Sequence, residues 1–214
     1  MTSLGRALAF AKHAVIFELN IYKSLLRWVF RRPSIPAGFE PVGYARLATP
    51  MMALWIFGSA LELPLVHVLV PWDGVRIALL VIGVWGLLWM LGALAGLRSY
   101  PHLVGAEKLR IRNGAMHDIA VPWEAIAKVT TQDRSLPSSM WALQPQETDR
   151  GIHLNVAVSG RVNVHLGLRN PLHVDTRKGD MLVTGLSLWV DEPRQVATRI
   201  RRHIESRSSR HWLT

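Results

Sequence analysis

Residues 48–97 read ATPMMALWIFGSALELPLVHVLVPWDGVRIALLVIGVWGLLWMLGALAGL, two long apolar runs broken once, at Pro71-Trp72-Asp73-Gly74. The first run, 48–70, holds a single full charge, Glu62. The second, 75–97, holds only Arg76, at its start. Roughly 20 mostly apolar residues cross a ~30 Å hydrocarbon core as a helix, and a soluble core helix rarely stays apolar on every side for so long. The stretch predicts a transmembrane helical hairpin, 48–70 and 75–97. Glu62 is its intramembrane polar residue, roughly a dozen ångströms from the outer end at 1.5 Å per residue. An ionisable group at that depth requires a partner. An antiparallel hairpin puts it level with about Gly83, whereas Arg76 and His67 lie nearer the surface. In the second run Gly92 and Gly96 close a GxxxG pattern, which predicts helix packing on the first span or on another copy.

Outward from the hairpin, 47 residues precede it and 117 follow. Only the second stretch is long enough for a domain with its own core. The chain has no cysteine, which removes disulfides, thiol nucleophiles and thiolate metal sites together. The net charge of +10 lies in the flanks: seven Lys/Arg against two acids in 1–47, and seventeen against eleven from 98 onward. The positive-inside rule then puts both termini in the cytoplasm and the Pro71–Gly74 turn outside, for a multi-pass protein of the cell membrane. Beside a span, anionic lipid headgroups are the nearer partner for that charge than nucleic acid.

Residues 1–33 predict a basic amphipathic helix. Arg6, His13, Asn20 and Arg27 recur every seven residues, and Leu4, Leu8, Val15, Leu19, Tyr22, Leu26 and Val29 collect on the other side. Such a helix lies in the membrane interface or packs on the hairpin or the C-terminal domain. Glu18, near the apolar face, requires a buried partner. The expected membrane-surface contacts are Lys12, Lys23, Arg27, Arg31, Arg32, Arg46 and Arg98. Pro33, Pro36, Pro41, Gly38 and Gly43 make 34–47 a linker without helix.

From 98 to 207 the apolar period becomes two. Lys108–Arg112 alternates and stops at Asn113-Gly114, a strong hairpin signal, and Met116–Val121 returns. Ala125–Gln132 is a third strand, followed by a polar loop, 133–150, that is either mobile or a binding loop. Leu154, Val156 and Val158 face Val162, Val164 and Leu166 across a three-residue turn at Ser159-Gly160-Arg161, which predicts a hairpin with Asn155 opposite His165. His153 and His165 then share a polar face, without the third ligand that a metal site needs. Met181–Val190 is the last strand. Asp191 predicts an N-cap for a helix over 192–207 that buries Val196, Ile200 and Ile204; 208–214 is a tail.

The hairpin, the strands ending DIAVPWEAIAKV (118–129) and the closing LSLWVDEPRQVATRI (186–200) together resemble the bacterial pleckstrin-homology-like membrane proteins. The resemblance covers roughly 100–206. It implies a small antiparallel β-sandwich or partly open barrel capped by the C-terminal helix, and it carries over no catalytic residues. The expected fold class is therefore membrane α + β. Gly-rich phosphate loops, HExxH and GxSxG are absent from the sequence, so no catalytic, cofactor or metal residues are assigned. The expected function is a non-enzymatic membrane-anchored interaction module whose partner is a protein, another copy of the chain, or anionic lipid. In that reading Arg98, Lys108, Arg110 and Arg112 hold the domain against lipid. The alternative is an accessory subunit of a membrane transport or export complex.

Overall fold

A computed structural model describes residues 3–137, 139, 141–176 and 179–211, with side chains described for Lys12 and, within those ranges, from Ala14 to Ser206. The side chains of Leu4, Arg6, Leu8 and His13, the end of the expected tail at 212–214, and Arg177 and Lys178 of the expected last turn lie outside that description, whereas 208–211 of the expected tail continue the C-terminal helix. The chain forms two compact units: Met1–Pro33 with Ala48–Ser99 and the turn Gly114–Met116, and Ser34–Leu47 with Tyr100–Asn113 and His117–Thr214.

The first unit is helical: α1 (Ser3–Val29), α2 (Thr49–Leu69) and α3 (Asp73–Ser99). Both α2 and α3 are long and apolar enough to cross a membrane. Their large side chains point outward. Leu54, Trp55, Phe57 and Leu69 on α2, and Ile77, Val81 and Ile82 on α3, are all more than half exposed, and no described α2 residue is buried. A helix in the core of a soluble protein hides such side chains.

Helix α1 lies along α3 and runs parallel to it. Phe17 packs on Trp89 at a ring separation of 5.9 Å, Ile21 sits against Gly92 and Ser24 against Gly96, and Ser99 Oγ donates to the Ser24 carbonyl at 3.5 Å. Small residues let the two backbones approach. A Cβ at Gly92 would stand 2.4 Å from the Ile21 side chain and 2.9 Å from its carbonyl oxygen. The GxxxG face therefore packs on α1, not on α2. Leu63 of α2 meets α3 at Gly83 instead. Gly83 and Gly92 are nine residues apart, two and a half turns at 3.6 residues per turn, so they lie on opposite faces. The helices form one row, α1–α3–α2. The expected apolar face of α1 points away from this row, with Val15, Leu19, Leu26 and Val29 exposed. Glu18 has its partners: Tyr22 Oη donates to its carboxylate at 2.7 Å, and the Trp85 Nε1–H is shared between Glu18 at 2.9 Å and Tyr22 Oη at 2.8 Å.

The second unit holds two sheets and a helix. The first sheet has the order β1 (Phe39–Val42), β2 (His102–Gly105), β3 (Lys108–Asn113) and β4 (His117–Pro122), all antiparallel. The Asn113-Gly114 turn forms where the sequence expects it, with Gly114 at φ +56°. Strand β1 corrects the reading of 34–47 as a linker. Phe39 pairs with Gly105 and Val42 with His102, and Val42 and Tyr44 are buried. After a one-turn 3-10 helix, Trp123–Ala125, come β5 (Ile126–Ser135), β6 (Leu143–Thr148), β7 (Gly151–Val156), β8 (Arg161–Thr176) and β9 (Gly179–Leu188), in the order β5-β8-β9-β7-β6.

Two expectations fail here. Half of the polar stretch 133–150 is strand, not loop: β5 extends to Ser135, and β6 is an edge strand whose exposed polar side chains hide its period. Strands β7 and β8 do not form the expected hairpin ladder, because β9 lies between them, parallel to β7 and antiparallel to β8. The sheet is mixed for that reason.

Helix α4 (Pro193–His211) covers the sheets with Val196 and Ile200 buried and Ile204 packed against the core. Its first helical carbonyl is that of Glu192, which accepts from the Val196 N–H at 3.1 Å. Asp191 does not cap it. Its carboxylate instead accepts from the Arg46 N–H at 3.0 Å, and its own N–H donates to the Gly43 carbonyl at 2.9 Å. The core contains Leu109, Ile111, Val121, Trp123, Ile126, Leu154, Leu166, Leu186 and Leu188, each burial contributing about 2 kcal/mol. Buried Asn163 exchanges two hydrogen bonds with the backbone of Val190, at 2.8 and 2.9 Å, and so fixes the exit of β9.

Candidate functional site

The outer face of the five-stranded sheet is built from alternation. His153 and Asn155 on β7, and Asn163 and His165 on β8, share the parity that the sequence gives them. Asn155 and His165 are not opposite each other: each pairs with Ser187 of the intervening β9. The fully buried Ser187 Oγ lies 2.6 Å from His153 Nε2 and 2.7 Å from His165 Nδ1. His165 Nε2 faces the Gln132 carbonyl at 2.8 Å and donates to it, which leaves Nδ1 to accept the Ser187 proton and His153 Nε2–H to donate to Ser187 Oγ. Gly185 makes room for this arrangement, since a Cβ there would stand 2.5 Å from the His153 ring. Burial lowers the His153 pKa, helped by the Arg134 guanidinium and by His165. Arg134 donates to Asn155 Oδ1 at 3.1 Å and to Gln146 Oε1 at 3.2 Å. The serine hydroxyl is spent on two histidines and closed to solvent, so the cluster acts as a clamp across three strands. Among the described residues no three His, Cys, Asp or Glu side chains converge as a metal site. Sequence reading missed Ser187, although the run Gly185-Leu186-Ser187-Leu188 already carries the alternation that places it.

At one end of this sheet, between the β5–β6 connection and the β7–β8 turn, an open groove of about 530 Å³ is lined by Leu136, Trp141, Gln144, Ser159 and Arg161, among others. Trp141 is 63 % exposed. Arg161 is held by Asp133, at 2.5 and 3.1 Å, and lies 5.7 Å from the centroid of the Trp189 ring. The Trp189 Nε1 donor is buried without a hydrogen-bond partner. The groove thus combines an exposed indole, an oriented guanidinium and several small polar groups.

The basic residues divide. On the helical unit, Arg27 is half-buried and donates to the Arg32 carbonyl at 3.4 Å. Arg98 is exposed and lies 5.8 Å from the Trp28 ring centroid. Lys23, Arg31 and Arg32 are exposed. The parallel packing of α1 on α3 brings these five residues to one end of the row. Lys12 lies well away from them, level with Gly83, and Glu62 is exposed on α2. In the β unit, Arg110 and Arg112 do not stand free for lipid, because both pair with Asp118, and Arg112 Nη1 also donates to the Ser34 carbonyl at 2.6 Å. Arg46 pairs with Glu192 at 3.4 Å and Arg199 with Glu40 at 3.3 Å.

No family model, curated protein or solved structure matches the chain. The functional reading rests on its own geometry.

Proposed function

We propose that the chain is an integral protein of the cell membrane in which the α2–α3 hairpin anchors a cytoplasmic, pleckstrin-homology-like β unit, and that this unit is a non-enzymatic module binding a protein partner. The pairing of β1 with β2 carries the proposal. One strand immediately precedes the hairpin and the other immediately follows it, so a single set of backbone hydrogen bonds clasps both of its roots. Such a clasp requires both ends of the hairpin to lie on the same side of the membrane, and the basic flanks favour the cytoplasm. A four-stranded antiparallel sheet facing a second sheet, closed by a C-terminal helix, supports the pleckstrin-homology-like reading. The β6–β7 hairpin and its parallel seam are additions to it.

Lys23, Arg27, Arg31, Arg32 and Arg98 then meet the inner headgroups. Because α1 runs parallel to α3, its start lies toward the Pro71–Gly74 turn. The expected cytoplasmic placement therefore suits the Arg-rich end of α1 and not its first turn. The groove is the partner site in this reading, since exposed tryptophan and oriented arginine are the side chains that anchor protein contacts most strongly. A photoreactive residue at Trp141 is expected to give a discrete protein adduct in native membranes, and one at Thr198, exposed on α4, is not. Lipid adducts alone, or the same adducts from both positions, would contradict the proposal.

A further inference from the structure

Lys12 of α1 and Glu62 of α2 are both exposed, and neither has a hydrogen-bond or ion-pair partner among the described residues. Their positions along the row match. Ile21 against Gly92 sets a register that brings Lys12 level with Gly83, and Gly83 is where Leu63, the residue after Glu62, meets α3. Helices α1 and α2 occupy opposite faces of α3, so the two opposite charges sit at one level on the two flanks of a flat layer. An unpaired ionisable side chain deep in a bilayer is costly, and it is ordinarily relieved by a partner across a helix interface.

We infer that two copies of the chain associate within the membrane, with Lys12 of each bonded to Glu62 of the other. A two-fold axis along the membrane normal preserves depth and forms both pairs at once, the self-complementary arrangement of a closed dimer. It sets α1 of one layer opposite α2 of the next. The inference rests on the reading that α3 crosses the membrane.

Charge reversal tests it in the full chain, with two differently tagged forms expressed together. Lys12→Glu and Glu62→Lys are each expected to lower self-association at least tenfold, measured by co-purification in mild detergent and by crosslinking in native membranes. Co-expressing the two variants is expected to restore association between them, because every contact across that mixed dimer is again between opposite charges. A monomeric wild type would overturn the inference. So would restoration only when both substitutions share one chain, which marks a pair made within a single copy, and so would multimers larger than two. Extraction of the same membranes with alkaline carbonate separates the two failures: a protein released into the wash defeats the membrane reading itself, and one that is retained but monomeric defeats only the dimer.

Discussion

A polypeptide joining residues 34–47 to 100–211 through a short flexible linker is expected to fold cooperatively, and 98–214 alone is expected to be unfolded or aggregated. The second fragment looks like the whole domain from the sequence, yet it lacks β1. Without β1, Val42 and Tyr44 leave the buried interior, the 4.4 Å stack of Tyr44 on His102 is lost, and Asp191 loses the Gly43–Arg46 backbone that it binds. The backbone of β2 also becomes a bare edge, which favours aggregation. Losing two large buried side chains costs roughly 3–6 kcal/mol, a large part of the about 5–15 kcal/mol that holds a domain folded. Urea unfolding followed by circular dichroism checks it. Equal midpoints for the two fragments would remove β1 from the fold.

The joined fragment is also expected to lose about 3 kcal/mol of stability between pH 6.5 and pH 4, through His102. Its ring is enclosed. Nδ1 accepts from the Arg112 N–H at 2.9 Å and Nε2 donates to the Trp189 carbonyl at 3.0 Å. A second ring proton would point at the Arg112 N–H. Burial lowers the pKa to about 4 and the Arg112 charge adds to this, against the opposing pull of the Trp189 carbonyl. The unfolded chain takes up a proton near pH 6.5 that the folded chain refuses until about pH 4. Stability is therefore complete above that window, falls as the pH drops through it, and loses nothing more to this group below it. His153 acts in the same direction. Asp191 acts against them, because burial raises its pKa and a falling pH removes the cost of keeping it charged. Urea midpoints at pH 7.5 and pH 4.5, with imidazole proton resonances to follow His102, measure the effect. A His102 ring that titrates near 6.5 in the folded state would contradict it.

The sequence shows those parts of the fold whose signals are local. Two long apolar runs with one break announce the hairpin, Asn113-Gly114 announces the β3–β4 turn, and Val196, Ile200 and Ile204 announce the buried stripe of α4. The parts that escape it depend on distant partners. Strand β1 is four residues long, contains Pro41, and finds its partner only beyond the hairpin. Strand β6 is an edge with little to bury, so its polar residues read as a loop. The parity of His153, Asn155 and His165 is visible in the sequence, but the insertion of β9 between their strands is not, and neither is the clamp at Ser187. The two faces of α1 are legible, but which one turns toward protein depends on what surrounds the helix. Against apolar surroundings the small side of Ser24 packs inward and Leu19 and Val29 point out.

The most direct test of the clasped hairpin uses the absence of native cysteine, which makes every introduced thiol unique. Ala37→Cys, Gly74→Cys and Glu107→Cys lie before the hairpin, in its turn and after it, each at an exposed position. A membrane-impermeant maleimide applied to intact cells or spheroplasts is expected to label position 74 at once, and positions 37 and 107 only after permeabilisation. Labelling of 37 and 107 from opposite sides, or of all three from the same side, would contradict the account.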